Sequence, residues 1–205
     1  MDSIRSTIFA SDFVARPYWW GGTPRPHLVL DDLPPKVDVL VIGSGYTGLC
    51  ASIQTARGGR STLVIDAEEI GWGCSSRNGG QVSSSIKPDF ARLSKQHGSD
   101  TARQVLKEGY RALAWIGDFI REEGIACDFR VTGRFHGAHT PRHYEKLGRR
   151  LNSHPDAPAL GAHLVPRSEQ SSEISTDFYH GGLVFQNHAS LDPAAYHQGI
   201  LDRVL

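Results

Sequence analysis

Three glycines, Gly43, Gly45 and Gly48, stand in the order G-x-G-x-x-G within "VIGSGYTGL". Between a strand and a helix, each has its own physical task. Gly43 permits a tight turn, Gly45 lets the backbone approach a pyrophosphate, and Gly48 lets helix and strand pack closely. The first N–H groups of the helix, in a turn shared with Ser44, Tyr46 and Thr47, present partial positive charge to a phosphate. Asp66, followed by Ala67, lies close to the ~20-residue spacing at which a carboxylate accepts hydrogen bonds from ribose hydroxyls. This constellation fits an adenine dinucleotide.

A second small-residue stretch, "GWGCSSRNGGQVSSS", spans residues 71–85. Asp66 does not discriminate FAD from NAD, because the ribose diol is the same in both. The second stretch favours the longer flavin dinucleotide, which needs contacts beyond its pyrophosphate. Ser75 and Ser76 offer hydroxyls, and Arg77 offers charge for a phosphate or an anchor for the loop. Gly79 and Gly80 expose backbone N–H groups beside a flat ring with polar edges. The expected cofactor is FAD, with an NAD-dependent dehydrogenase as the alternative.

The elements that must position these residues are legible around them. "VDVLVIG" and "STLVIDA" are Val- and Ile-rich runs, the pattern of parallel strands buried on both faces. Between them "YTGLCASIQTARGG" has helical spacing and ends on Gly58 and Gly59, giving a βαβ unit with a right-handed crossover. Residues 1–36 form an arm rich in proline and aromatics, closed by "DDLPPK", so the domain is expected to begin at Val37. Beyond the loop, "PDFARLSKQHG" and "SDTARQVLKEGYRALAWIGDFIREEG" read as helices, the second capped by Ser99 and stopped by Gly124. Its Leu106, Leu113, Ile116, Phe119 and Ile120 fall near one stripe. "CDFRVTGRFHGAHT" reads as strand, turn at Thr132-Gly133, strand. A helix starting at Pro141, short strands in "AHLVP" and "GGLVFQN", and a last helix capped by Asp192 complete the pattern.

With 205 residues, 39% hydrophobic and 21% charged, the chain has the composition of a folded domain. Lys and Arg balance Asp and Glu at 22 each, so no net field favours nucleic acid or an anionic membrane. Three scattered cysteines make neither a disulfide framework nor a zinc cluster. No signal-peptide core and no membrane-length apolar run is present, and the expected location is the cytoplasm. His136, His139 and His143 suggest a metal, yet two of them lie on a strand and turn, need not converge, and have no carboxylate or cysteine partner. Cys74 reads as a buried or idle thiol and Trp19-Trp20 as arm packing, since no basic patch surrounds the indoles. No side chain is assigned a catalytic acid, base or metal-ligand role.

"DVLVIGSGYTGLCAS", "LVIDAEEIGWGCSSRNGGQV" and "ASLDPAAYHQGIL" resemble the FAD-dependent oxidoreductases of the D-amino-acid oxidase type. "RPYWW", "SSRNGGQ" and "GRFHGAHTPRHYEKL" are most similar to the γ-glutamylputrescine oxidoreductase branch. The resemblance implies an α/β fold, with a Rossmann-like FAD-binding βαβ unit and flavin loop over 37–85. It further implies a helical insertion and the start of an antiparallel substrate domain over 86–190, then a helix over 191–205 returning to the FAD domain. Gly43, Gly45, Gly48, Asp66, Ser76, Arg77, Asn78, Gly79, Gly80 and Gln81 would contact or frame the flavin. The implied activity is oxidation of a C–N bond in a small amine or amino acid, with hydride passing to flavin N5. Members of that family are much longer, so the chain is expected to be an N-terminal portion with an incomplete sheet. A non-catalytic truncated fragment that binds dinucleotide weakly or not at all is the further alternative.

Overall fold

The computed structural model describes residues 8–23, 26, 28, 32–154 and 161–205. Its helices in chain order are α1 (Tyr46–Arg57), α2 (Phe90–His97), α3 (Ser99–Glu122), α4 (Pro141–Asn152) and α5 (Pro193–Leu201). Its strands are β1 (Val39–Ile42), β2 (Thr62–Ile65), β3 (Gln81–Val82), β4 (Arg130–Val131), β5 (Arg134–Gly137), β6 (Ala162–Val165), β7 (Gly182–Phe185) and β8 (Ala189–Ser190). The chain divides into two compact units, Met1–Gly79 with Pro193–Leu205, and Gly80–Asp192.

In the first unit β1 and β2 pair in parallel, Val39 opposite Thr62 through Ile42 opposite Ile65, with α1 as the connection. A Ser–Asp pair pins each end of this short ladder. Before the strands, Asp38 N–H donates to Ser61 Oγ at 2.9 Å, and Ser61 N–H and Oγ donate to Asp38 Oδ2 at 3.0 Å. After the strands, Ser44 and Asp66 make the corresponding pair. Leu49 and Ile53 of α1, with Tyr196, Ile200 and Leu201 of α5, are buried. The expectation that both strands are buried on two faces is corrected. Leu40 and Ile42 are 51% and 79% exposed, while β2 is half-buried throughout. Their spacing by two residues puts these side chains on the same face of β1.

The second unit contains two antiparallel sheets, in the orders β3-β8-β4 and β5-β7-β6. The expected strand, turn and strand over 127–140 are β4, Thr132-Gly133 and β5, and β4 and β5 pair with other strands, not with each other. Arg130 pairs with Ser190 in one sheet, while Arg134 pairs with Phe185 in the other. Thr132 and Gly133 make the passage between sheets, with both N–H groups donating to the His188 carbonyl at 3.1 and 2.9 Å. Gly133 takes φ +71°, which suits a residue without Cβ. Within "GGLVFQN", β7 occupies 182–185, and β8 follows at 189–190 in the other sheet.

Helix α3 begins at Ser99 itself, with Gly98 in the cap position at φ +81°; Ser99 is therefore not the cap. It ends at Glu122, before Gly124 at φ +62°. Leu93, Ala102 and Leu106 form one cluster between α2 and α3. Ala138, Leu147 and Leu183 form another where α4 covers β5-β7-β6. No described helix is long and apolar enough to cross a membrane.

Candidate functional site

The glycine turn begins where the parallel ladder ends. Gly43 N–H donates to the Ile65 carbonyl at 2.7 Å, and Gly43 then reverses the chain at φ +102°. Helix α1 follows from Gly45, which has no side chain to cap it. The first helical bond runs from Leu49 N–H to the Gly45 carbonyl at 3.0 Å, so the N–H groups of Tyr46, Thr47 and Gly48 lie ahead of the ladder. Tyr46 N–H donates to Ser75 Oγ at 3.1 Å. A Cβ on Gly48 would stand 2.0 Å from the Gly43 carbonyl oxygen, so backbone meets backbone there.

Asp66, at the end of β2, is fixed by the turn opposite it. Its Oδ2 accepts from Ser44 N–H at 2.7 Å and from Ser44 Oγ at 2.6 Å, and its Oδ1 accepts from Glu68 N–H at 3.2 Å. The Ser44 hydroxyl is the main reason the carboxyl sits below the usual carboxylate range, with the N–H donors adding to it and partial burial opposing. Ser44 is fully buried, whereas Asp66 and Ala67 face solvent. The arrangement thus offers an ionised, oriented carboxylate at the strand end and helix-start donors beside it. Those are the groups a ribose diol and a pyrophosphate require.

The loop after Asp66 is built on internal bonds. Gly71 N–H donates to Ser44 Oγ at 3.0 Å, and Ser76 Oγ donates to the Gly71 carbonyl at 2.6 Å. Ser76 is buried and also accepts from Trp20 Nε1 at 2.9 Å, so its hydroxyl serves the loop's interior. Trp19 Nε1 donates to the Asn78 carbonyl at 2.8 Å, while Asn78 Nδ2 donates to the Cys74 and Ser75 carbonyls at 3.1 and 3.2 Å. The Arg77 guanidinium lies against two neighbouring indoles, 4.7 Å from the Trp20 ring centre and 4.5 Å from that of Trp72, and donates to the Trp72 carbonyl. Of the two roles expected for Arg77, this is the anchoring one. The paired tryptophans pack the arm onto the loop, as the sequence suggests. A Cβ on Gly79 would meet nothing within 4 Å.

Gly80 and Gln81 belong to the second unit. Gly80 takes φ +68° and its carbonyl accepts from Leu191 N–H at 2.9 Å, and Gln81 opens β3 opposite Ser190. In the same unit the three histidines do come together, contrary to expectation. The His143 ring is 5.6 Å from that of His136 and 6.0 Å from that of His139, and His143 Nδ1 faces the His139 N–H at 3.3 Å. Burial first, then the nearby charges of Arg134, His143, Arg150 and His139, push His136 below its ordinary range. Among the described residues no group of three His, Cys, Asp or Glu could hold a metal ion.

Sequence reasoning missed one participant. His197 of α5 is 1% exposed, and its Nε2 lies 2.7 Å from the Ser44 carbonyl oxygen. No local pattern marks it, since one histidine in an apolar helix reads as core.

The family profile described as FAD dependent oxidoreductase matches residues 38–205. The chain is 29% identical over 186 residues to γ-glutamylputrescine oxidoreductase of Escherichia coli strain K12, covering 85% of this chain and 41% of that protein. Among solved structures, glycine oxidase from Geobacillus kaustophilus superposes with a TM-score of 0.68 at 13% identity, over 82% of this chain and 44% of that one. L-amino acid deaminase from Proteus vulgaris gives 0.67 at 17% identity, over 88% and 45%. The chain thus spans about two-fifths of the length of the curated relative and under half of each solved one. With the profile spanning the strand, the glycine turn, the Asp66 carboxylate and both units, the chain belongs to the family of FAD dependent oxidoreductases.

Proposed function

We propose that this chain carries the adenosine-diphosphate grip of an FAD-dependent enzyme that oxidises a C–N bond in a small amine or amino acid. The observation that carries the reading is the Ser44–Asp66 pair at the carboxyl end of the parallel strands, beside the start of α1. Asp66 would hold the ribose hydroxyls, and the turn from Gly43 to Gly48 would face the pyrophosphate. Ser75 holds the first N–H of α1, and Arg77 keeps the following loop in place. Ala67, Ser76, Asn78, Gly79, Gly80 and Gln81 complete the proposed frame, Ser76 from within the loop. Bound flavin supplies a hydride acceptor for the carbon that bears the amine.

The names of the similar proteins, an oxidoreductase of γ-glutamylputrescine, a glycine oxidase and an amino acid deaminase, support the amine and amino acid class. Because the chain spans two-fifths of the curated relative, the catalytic step is proposed for the whole enzyme and not for these residues alone. FAD titration, followed by flavin fluorescence, tests the grip. Gly45→Val would put a side chain where the pyrophosphate is proposed to sit, and should abolish binding. Equal retention by the variant, or binding of a nicotinamide dinucleotide in place of FAD, would overturn the assignment. Peroxide release with a panel of amines is expected to be nil for the 205-residue chain by itself.

A further inference from the structure

Ser44 and Tyr46 flank Gly45, the residue whose backbone must approach a pyrophosphate if the dinucleotide reading holds. Both are tied to α5. The Ser44 carbonyl lies 2.7 Å from His197 Nε2, across 153 positions of sequence. A carbonyl only accepts, so Nε2 carries the hydrogen. The Tyr46 hydroxyl donates to the Pro193 carbonyl at 3.0 Å, and its ring packs 5.1 Å from that of Tyr196.

The three polar groups of Ser44 are therefore held from three directions. Its N–H and hydroxyl point to Asp66, the Gly71 N–H reaches its Oγ, and His197 takes its carbonyl. The imidazole has a fitted berth. A Cβ on Gly71 would stand 2.4–2.7 Å from three of its ring atoms. An apolar ring would fill the same space without donating, leaving a buried carbonyl short of a partner.

We propose that His197 is a positioning residue for dinucleotide binding. By holding the Ser44 carbonyl it fixes the peptide plane before Gly45 and keeps Ser44 turned toward Asp66. The inference rests on the dinucleotide reading for its purpose, while the positioning itself is testable without ligand.

The experiment compares the full 205-residue chain with His197→Phe and His197→Gln. Backbone amide exchange at Ser44 and Tyr46 is measured without ligand, and FAD affinity is measured by titration. Loss of a buried donor should accelerate exchange at Ser44 about tenfold in the Phe variant and weaken FAD by a similar factor. Gln, which can donate from its amide, should recover most of both. Parental exchange and affinity in His197→Phe would show that the ring only packs, and would overturn the proposal. If the parent chain does not bind FAD, the dinucleotide reading falls, and exchange at Ser44 alone decides the positioning role. If His197→Phe does not fold, His197→Gln decides alone: near-parental exchange at Ser44 supports the donor role, and a tenfold acceleration there would overturn it.

Discussion

The two units share apolar packing and differ in what accompanies it. In the second, α4 closes over β5-β7-β6 around Ala138, Leu147 and Leu183, with Tyr144, Leu151, Leu164 and Phe185 packed at the margin. In the first, Leu49, Ile53, Ile200 and Leu201 are just as fully buried, and a polar network runs beside them. Trp20, Ser76, Gly71, Ser44 and Asp66 form a continuous chain of hydrogen bonds, and His197 joins it at Ser44. Two large side chains of β1, Leu40 and Ile42, meanwhile face solvent. An apolar core is non-directional and tolerates small shifts of its neighbours, whereas a hydrogen-bonded turn is specified by angle and distance. The first unit therefore carries, beside its apolar core, the directional order that a ligand site needs.

The largest effect expected from this contrast is on stability. Leu183 is 2% exposed and central to its cluster, so Leu183→Ala should destabilise the chain by about 2–5 kcal/mol. Ile42→Ser, at a side chain already in water, should change it by less than about 0.5 kcal/mol. Urea unfolding of both variants checks the pair, and equal losses would erase the distinction.

Arg77→Ala tests the polar unit where charge, stacking and a backbone bond coincide. FAD affinity should fall by about 1.5–3 kcal/mol, at least tenfold, because the loop loses a charge-assisted bond and its cation's contact with two indoles. An affinity within twofold of the parent would remove Arg77 from the clamp.

A smaller effect concerns acid. Asp66 titrates lower in the folded chain than when unfolded, because Ser44 donates to it. Its contribution is therefore fully present above the unfolded value, near pH 4, and is lost as pH falls through the folded value. Asp66→Asn should make stability less dependent on pH below about 4. Unfolding midpoints between about pH 2 and 6 would show it, and superimposable acid limbs would contradict it.

Thiol labelling gives the smallest and most local readout. Burial is the main cause pushing the Cys127 thiol up to about 11, while Cys74 is exposed. A thiol reagent near pH 8 should modify Cys74 first and reach Cys127 only after denaturation. Rapid labelling of Cys127 in the native chain would mean that the second unit opens far more readily than its packing implies.

Much of the fold is legible from the sequence where the cause is local. The end of α3 follows from Gly124, and the start of α4 from Thr140 and Pro141, whose cap bond to His143 N–H is 3.1 Å long. The misreadings have equally local causes. Ser99 is a good cap by type, but Gly98 at φ +81° already makes the entry turn. "VDVLVIG" is apolar on both faces by composition, yet composition alone does not say whether anything covers each face. The strand, turn and strand over 127–140 were legible but their partners were not, because a Thr-Gly turn signal is the same whether the chain folds back on itself or passes to another sheet.

By itself the sequence determined the strand, the glycine turn, the helix and the carboxylate at the end of the second strand. Ser44 and Asp66 lie 22 residues apart in one βαβ unit, so spacing and periodicity suffice to bring them together. Tertiary structure alone decided that His197 closes on Ser44, that Trp20 reaches Ser76, and that His188 receives both amides of the Thr132-Gly133 passage. Those partners are separated by 153, 56 and more than 50 residues, and no local preference of backbone or side chain encodes such meetings. They depend on where the packed elements leave a buried acceptor that needs a donor.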